Sequence, residues 1–152
     1  MRSEPEQKAI VDFVFEHAAA TPDRLAIASE YDAFTYGELK RRVLAVADRL
    51  TAIGIGRGDI VAVLAPPRTD AYILFLAINS IGAIWLSLNN KFRLPEMQHM
   101  VGNACPRAMF FIAEMGGRSY VDDVRQLAES TDSIRHLYSL DRRIDDDELA
   151  DV

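Results

Sequence analysis

The sequence predicts an α/β fold, a three-layer α/β/α sandwich built on a mainly parallel sheet. Three observations predict it. Between Ile60 and Phe111, short apolar runs (IVAVLA, IWLSLN, PRAMFF) alternate with longer segments that carry helix signals, the order of a βαβαβ unit. The apolar runs hardly alternate with polar residues, as in strands covered on both faces. The segment from Thr69 to Ile81 is apolar nearly all round, which suits a helix buried inside more than a two-layer packing. Core strands are expected near 60–65, 84–88 and 107–112. Trp85 opens the strand taken as central, so its indole is expected to be mostly shielded.

The flanking elements follow in order. Ile10, Val11, Val14, Phe15 and Ala18 make one apolar stripe on a helix from Gln7 to Ala20. Thr21-Pro22 ends it, because the residue before proline avoids helical geometry. Leu25 to Ala28 and Phe34-Thr35 are short strand candidates. Thr35-Tyr36-Gly37-Glu38 reads as a capping box, opening a helix with Leu39, Val43, Val46, Ala47 and Leu50 on one face; Gly54 suits its end. Past the core, Pro95 and Glu96 fit the first turn of a helix whose Met97, Met100 and Val101 fill the core. Gly116-Gly117 reads as a turn, Val121, Val124, Leu127 and Ala128 as a helix face, and Arg135 to Leu140 as a last strand.

Bulk properties narrow the function classes. The chain has 152 residues and is 49% apolar, enough for one domain with a real core, assigned to 1–140. The net charge is −6, and residues 141–152 carry six acids against two arginines, −4 of that total. This stretch reads as an acidic tail or the start of a linker. The other 15 Lys and Arg are scattered, without the basic stripe that nucleic-acid binding needs. No run is long enough to span a membrane. The opening MRSEPEQKAIVDF lacks the apolar core of a secretory signal, so a cytoplasmic location is expected. The single cysteine, Cys105, excludes an internal disulfide and is expected to be a packed thiol.

Reactive constellations are scarce. His17, His99 and His136 stand in no metal-ligand spacing, and HExxH, CxxC and GxSxG are absent. Gly54-Ile55-Gly56-Arg57-Gly58-Asp59 has the composition of a nucleotide loop. A dinucleotide loop follows a strand and opens a helix; this run follows a helix and feeds a strand, so it reads as a helix stop and turn. Ligands of α/β sheets bind at the carboxyl ends of the strands. Arg68, in Pro66-Pro67-Arg68-Thr69, and Asn89 and Lys91, in Asn89-Asn90-Lys91, occupy such ends. They are the candidate cofactor contacts, set against the plainer reading of exposed residues beside helix starts. No catalytic residue and no metal ligand is identified.

Several of these stretches, taken together, resemble the adenylate-forming superfamily of acyl-CoA synthetases, peptide-synthetase adenylation domains and luciferases. TPDRLAIAS is similar to an opening motif of that family. The matching features then follow in family order: Thr35 to Leu39, Gly54 to Asp59, Gly82-Ala83 before a strand, Asn89 before a helix with Pro95-Glu96, and a strand after Cys105-Pro106-Arg107. The likeness covers about residues 7 to 140. It departs at Asn89-Asn90, where the family usually has Asn-Pro. It implies a Rossmann-like sheet and the opening part of an AMP-forming acyl-CoA synthetase acting on a fatty or other carboxylic acid through an acyl-adenylate. ATP, magnesium and CoA serve the full-length family; this segment alone is expected to bind none of them and to be inactive. The family's phosphate loop, ribose-binding aspartate and catalytic lysine have no counterpart here. The resemblance also implies the remainder of the ligase as partner, with self-association through bared surface. The alternative is a non-catalytic α/β binding or interaction module.

Overall fold

A computed structural model of the protein describes residues 8–30 and 32–141. Of the acidic stretch 141–152, residues 142–152 lie outside the described residues, as does Gln7, the expected first residue of the first helix. That helix, α1, runs Ile10–Ala20. Its start is set by the Asp12 carboxylate, which accepts the Ala9 N–H at 2.7 Å and satisfies an amide that the helix leaves open. Strands β1 (Leu25–Ala28) and β2 (Ala33–Thr35) pair antiparallel.

Helix α2 (Tyr36–Ala52) opens on the expected capping box. The Thr35 N–H donates to Glu38 Oε2 at 2.9 Å, and the Glu38 N–H donates to Thr35 Oγ1 at 3.3 Å. The Thr35 amide holds the Glu38 carboxyl below its ordinary range. Gly54, with φ of +84°, closes the helix in a conformation that other residues resist.

Next come β3 (Ile60–Leu64), α3 (Thr69–Ser80), β4 (Ile84–Ser87), α4 (Leu94–Ala104) and β5 (Ala108–Phe111). A short hairpin follows, β6 (Glu114–Met115) and β7 (Arg118–Ser119), then α5 (Val121–Glu129) and β8 (His136–Ser139). The hairpin turns at Gly116 and Gly117, both at positive φ, as a type I′ turn requires. β4, β3, β5 and β8 form one parallel sheet in that order.

The side chains of this sheet alternate between two cores. Val61, Val63, Ala108, Phe110 and Tyr138 meet α1, α2 and α3. Ala62, Leu64, Met109 and Phe111 meet Met97 and Val101 of α4 and Val124 and Leu127 of α5. Three layers result, as the unbroken apolar runs imply. Full burial of a side chain such as Phe110 contributes about 1.5–3 kcal/mol. Helix α3 packs against α1 and α2 as well as the sheet, and Ala71, Ile73, Leu74, Leu76, Ala77 and Ile78 are buried.

Two expectations need correction. Ile84–Ser87 is second of the three core strands in sequence but stands at the sheet edge, because the chain returns past β3 to place β5 on its other side. Ile84 is therefore 50% exposed, whereas Trp85 is mostly shielded as expected, against Phe75, with ring centroids 5.5 Å apart and planes at 85°. Cys105 is exposed rather than packed. It caps α4 in the left-handed region, at φ 50° and ψ 56°, which turns it away from the core.

Candidate functional site

The loops after β3 and β4 leave the sheet side by side and then part. α3 carries the first toward one core and α4 carries the second toward the other. Divergence of neighbouring loops opens a crevice beyond the carboxyl ends of the strands. A cavity of about 620 Å³ lies there.

Each wall follows from local sequence. Beyond Leu64, Pro66 and Pro67 delay the helix, and Arg68 stands extended at the α3 N-cap (φ −154°, ψ 159°). Beyond Ser87, the Leu88 N–H donates to the Val63 carbonyl at 2.8 Å and prolongs the sheet by one contact. Asn89 then makes a turn: its Oδ1 accepts the Lys91 N–H at 2.9 Å and its carbonyl accepts the Phe92 N–H at 3.0 Å. Glu96 closes the turn by accepting the Arg93 N–H at 2.8 Å, the capping role expected of an acid at the start of α4.

The lining is mostly apolar. Tyr72, Phe75 and Trp85 make an aromatic wall, with Pro66, Leu88, Phe92 and Met100 around it. Its polar groups are Arg68, Ser87, Asn89 and Asn90. The Arg68 Nε meets Asp70 Oδ1 at 2.5 Å, so this cation reaches the cavity already paired. The structure thus brings together Arg68 and Asn89 of the three sequence candidates. Lys91 is exposed and does not line the cavity. The aromatic wall has no counterpart among the candidates named from the sequence. The i, i+3 spacing of Tyr72 and Phe75 could have placed both on one face of α3, but Trp85 joins them only through the pairing of β4 with β3.

The glycine-rich run lies at the other end of the sheet. Asp59 Oδ2 accepts the Gly56 N–H at 2.8 Å, and Arg107 Nη1 reaches both Asp59 oxygens at 3.1 and 3.2 Å. The Gly56 amide and the Arg107 guanidinium hold the Asp59 carboxyl below its ordinary range. The run forms a closed turn, as its position between a helix and a strand implies. Among the described residues, no group of three or more His, Cys, Asp or Glu could hold a metal ion, and no helix is long and apolar enough to cross a membrane.

Comparison with known proteins gives the following. The family model described as AMP-binding enzyme matches residues 14–151. Phenyloxazoline synthase MbtB of Mycobacterium sp. (strain MCS) is 41% identical over 80 residues, 53% of this chain and 7% of that protein. Acetyl-coenzyme A synthetase 2 of Candida albicans is 35% identical over 122 residues, 75% of this chain and 18% of its own length. Among solved structures, a fatty acyl CoA synthetase of Mycobacterium tuberculosis superposes with a TM-score of 0.79 at 23% identity, covering 88% of this chain and 26% of that one; at that identity the likeness speaks for the fold. The chain thus spans a small part of the length of the proteins it matches.

Proposed function

This chain belongs to the AMP-binding enzyme family, and from that premise we propose that it is the opening part of an AMP-forming acid–thiol ligase of the acyl-CoA synthetase kind. In such a ligase a carboxylate displaces pyrophosphate from ATP, and a thiol then displaces AMP from the acyl-adenylate. The cavity beyond β3 and β4 would line the route of the acyl chain or of the thiol. The observation that carries this reading is the cavity itself: a mostly aromatic and aliphatic lining with a few polar groups, the make-up of a small-molecule site. The likeness to acetyl-coenzyme A synthetase 2 over three quarters of the chain supports the choice of thiol ligase.

The lining does not fit a magnesium triphosphate. No carboxylate lines it to hold the metal, and its arginine is already paired with Asp70. It fits an apolar chain with a polar end, which Arg68 and Asn89 would meet. ATP, magnesium and CoA are accordingly cofactors of the proposed whole ligase, and we assign this chain no adenylation step of its own.

Two assays test the reading. Trp85 is the only tryptophan and lies in the wall, so its emission should respond saturably to benzoate, decanoate or pantetheine. Carboxylate-dependent exchange of labelled pyrophosphate into ATP should be absent from the 152-residue chain. Silence of Trp85 toward all three compounds would favour the non-catalytic module instead, and robust exchange would show a complete site within the chain. Ile84 is 50% exposed on the edge strand β4, and an unpaired sheet edge tends to find partners. We expect pairing with a second copy or with the remainder of a ligase; a clean monomer in sedimentation at high concentration would count against pairing of copies.

A further inference from the structure

The loop from 89 to 93 forms one rim of the cavity, and its own sequence secures it only by the Asn89 turn and the Glu96 cap. Two further contacts come from far along the chain. Tyr120 Oη donates to the Asn90 carbonyl at 2.6 Å, and Arg118 Nη1 donates to the Phe92 carbonyl at 2.9 Å. Asn90 and Phe92 line the cavity; Arg118 and Tyr120 do not.

Both donors are themselves held in place. Arg118 Nη2 meets Asp123 Oδ2 at 2.6 Å, and its guanidinium lies 4.5 Å from the centre of the Tyr120 ring. The Tyr120 ring is buried among the residues of the α4–α5 core, and its N–H donates to the Ala113 carbonyl at 2.8 Å. The hairpin β6–β7 and the start of α5 thus make a rigid post against which the loop is fastened at two points. Asn90 is exposed, so water can replace a lost donor to its carbonyl. Losing the donor costs the fold little but frees the rim.

We propose that Arg118 and Tyr120 are positioning residues: by clamping the β4–α4 loop they set the width of the cavity mouth and hence what the cavity admits. The consequence for ligands rests on the cavity being a route for an acyl or thiol chain; the clamp itself can be read without a ligand.

The test uses the whole chain and the variants Tyr120→Phe, Arg118→Ala and Arg118→Lys. Loss of either donor should speed amide exchange in 89–93 tenfold or more, raise acrylamide quenching of Trp85, and weaken decanoate binding at least fivefold. Exchange in 60–64 should stay unchanged. Arg118→Lys, which keeps one donor, should fall between wild type and Arg118→Ala. Should Tyr120→Phe fail to fold, Asp123→Asn loosens the anchor of Arg118 from the surface and carries the same readouts. Unchanged loop exchange and unchanged Trp85 quenching would overturn the clamp, whatever happens to the melting temperature. Decanoate affinity unaltered while the loop loosens would overturn its control of admission. A wild-type chain that ignores decanoate while its variants loosen would overturn the ligand reading of the cavity and uphold the clamp.

Discussion

The two ends of the parallel sheet are built from the same strands and meet opposite fates. At the amino end, Asp59 and Arg107 join the starts of β3 and β5 across 48 residues of sequence. The Gly58 N–H donates to the Gly82 carbonyl at 2.9 Å and the Ile84 N–H to the Asp59 carbonyl at 2.8 Å, so the turns before β3 and β4 are tied together. At the carboxyl end the corresponding arginine pairs two residues away, with Asp70; that pair secures one loop and spans nothing. The loops there diverge and leave the cavity. Glycines gather at the closed end and aromatics at the open one. The place of a motif along the strand decides its meaning: Gly54–Asp59 has a nucleotide loop's composition but leads into the amino end of β3, where Asp59 ties it to Arg107.

The largest expected effect removes what both ends share. Phe110 is 1% exposed between β3 and β8, and Phe110→Ala should cost about 3–5 kcal/mol, read as a fall in the urea midpoint with loss of amide protection at both ends together. Protection lost at one end alone would break the idea that one core supports both.

A smaller effect isolates the closed end. Asp59 has a lower pKa in the fold than in the unfolded chain. It therefore adds stability that is fully present above the unfolded value and lost as pH falls through the folded one. Asp59→Asn should cost about 1 kcal/mol at pH 7, a modest figure because Arg107 is 42% and Asp59 25% exposed. The wild type should lose stability below about pH 4, and the variant should lose less over that range. Parallel acid limbs in denaturant titrations of the two proteins would contradict this. The smallest effects belong to the open end, where Arg68→Ala and Lys91→Ala should each shift stability by less than about 0.5 kcal/mol. Arg68→Ala should weaken carboxylate binding read by Trp85 emission; Lys91→Ala should leave it unaltered, since Lys91 does not line the cavity.

The helices, the strands of the parallel sheet and the capping box were legible because each is written in local pattern: Val61 to Leu64 as an apolar run, Thr35 and Glu38 at capping distance; the two-residue strands β6 and β7 are too short to show one. The edge position of β4 was not, because periodicity carries no information about which strands are neighbours; Trp85 is shielded even so, because Phe75 of α3 covers it. Cys105 was misread because αL geometry at a helix end is rare for any residue other than glycine, and nothing nearby announces it. Of the cavity lining, Arg68 and Asn89 could be picked out from the rule that ligands meet strand ends. Trp85 in the wall, and Tyr120 and Arg118 behind the rim, depend on contacts between residues 26 or more apart or on strand pairing, and no local spacing encodes these.

The contrast between a closed amino end and an open carboxyl end is tested most directly by amide exchange across the whole chain, with and without saturating benzoate, decanoate or pantetheine. The expected result is ligand-dependent protection confined to 65–72 and 85–93, with exchange in 54–59 unaltered. Protection centred on 54–59, or none anywhere with all three ligands, would contradict the assignment of the functional end.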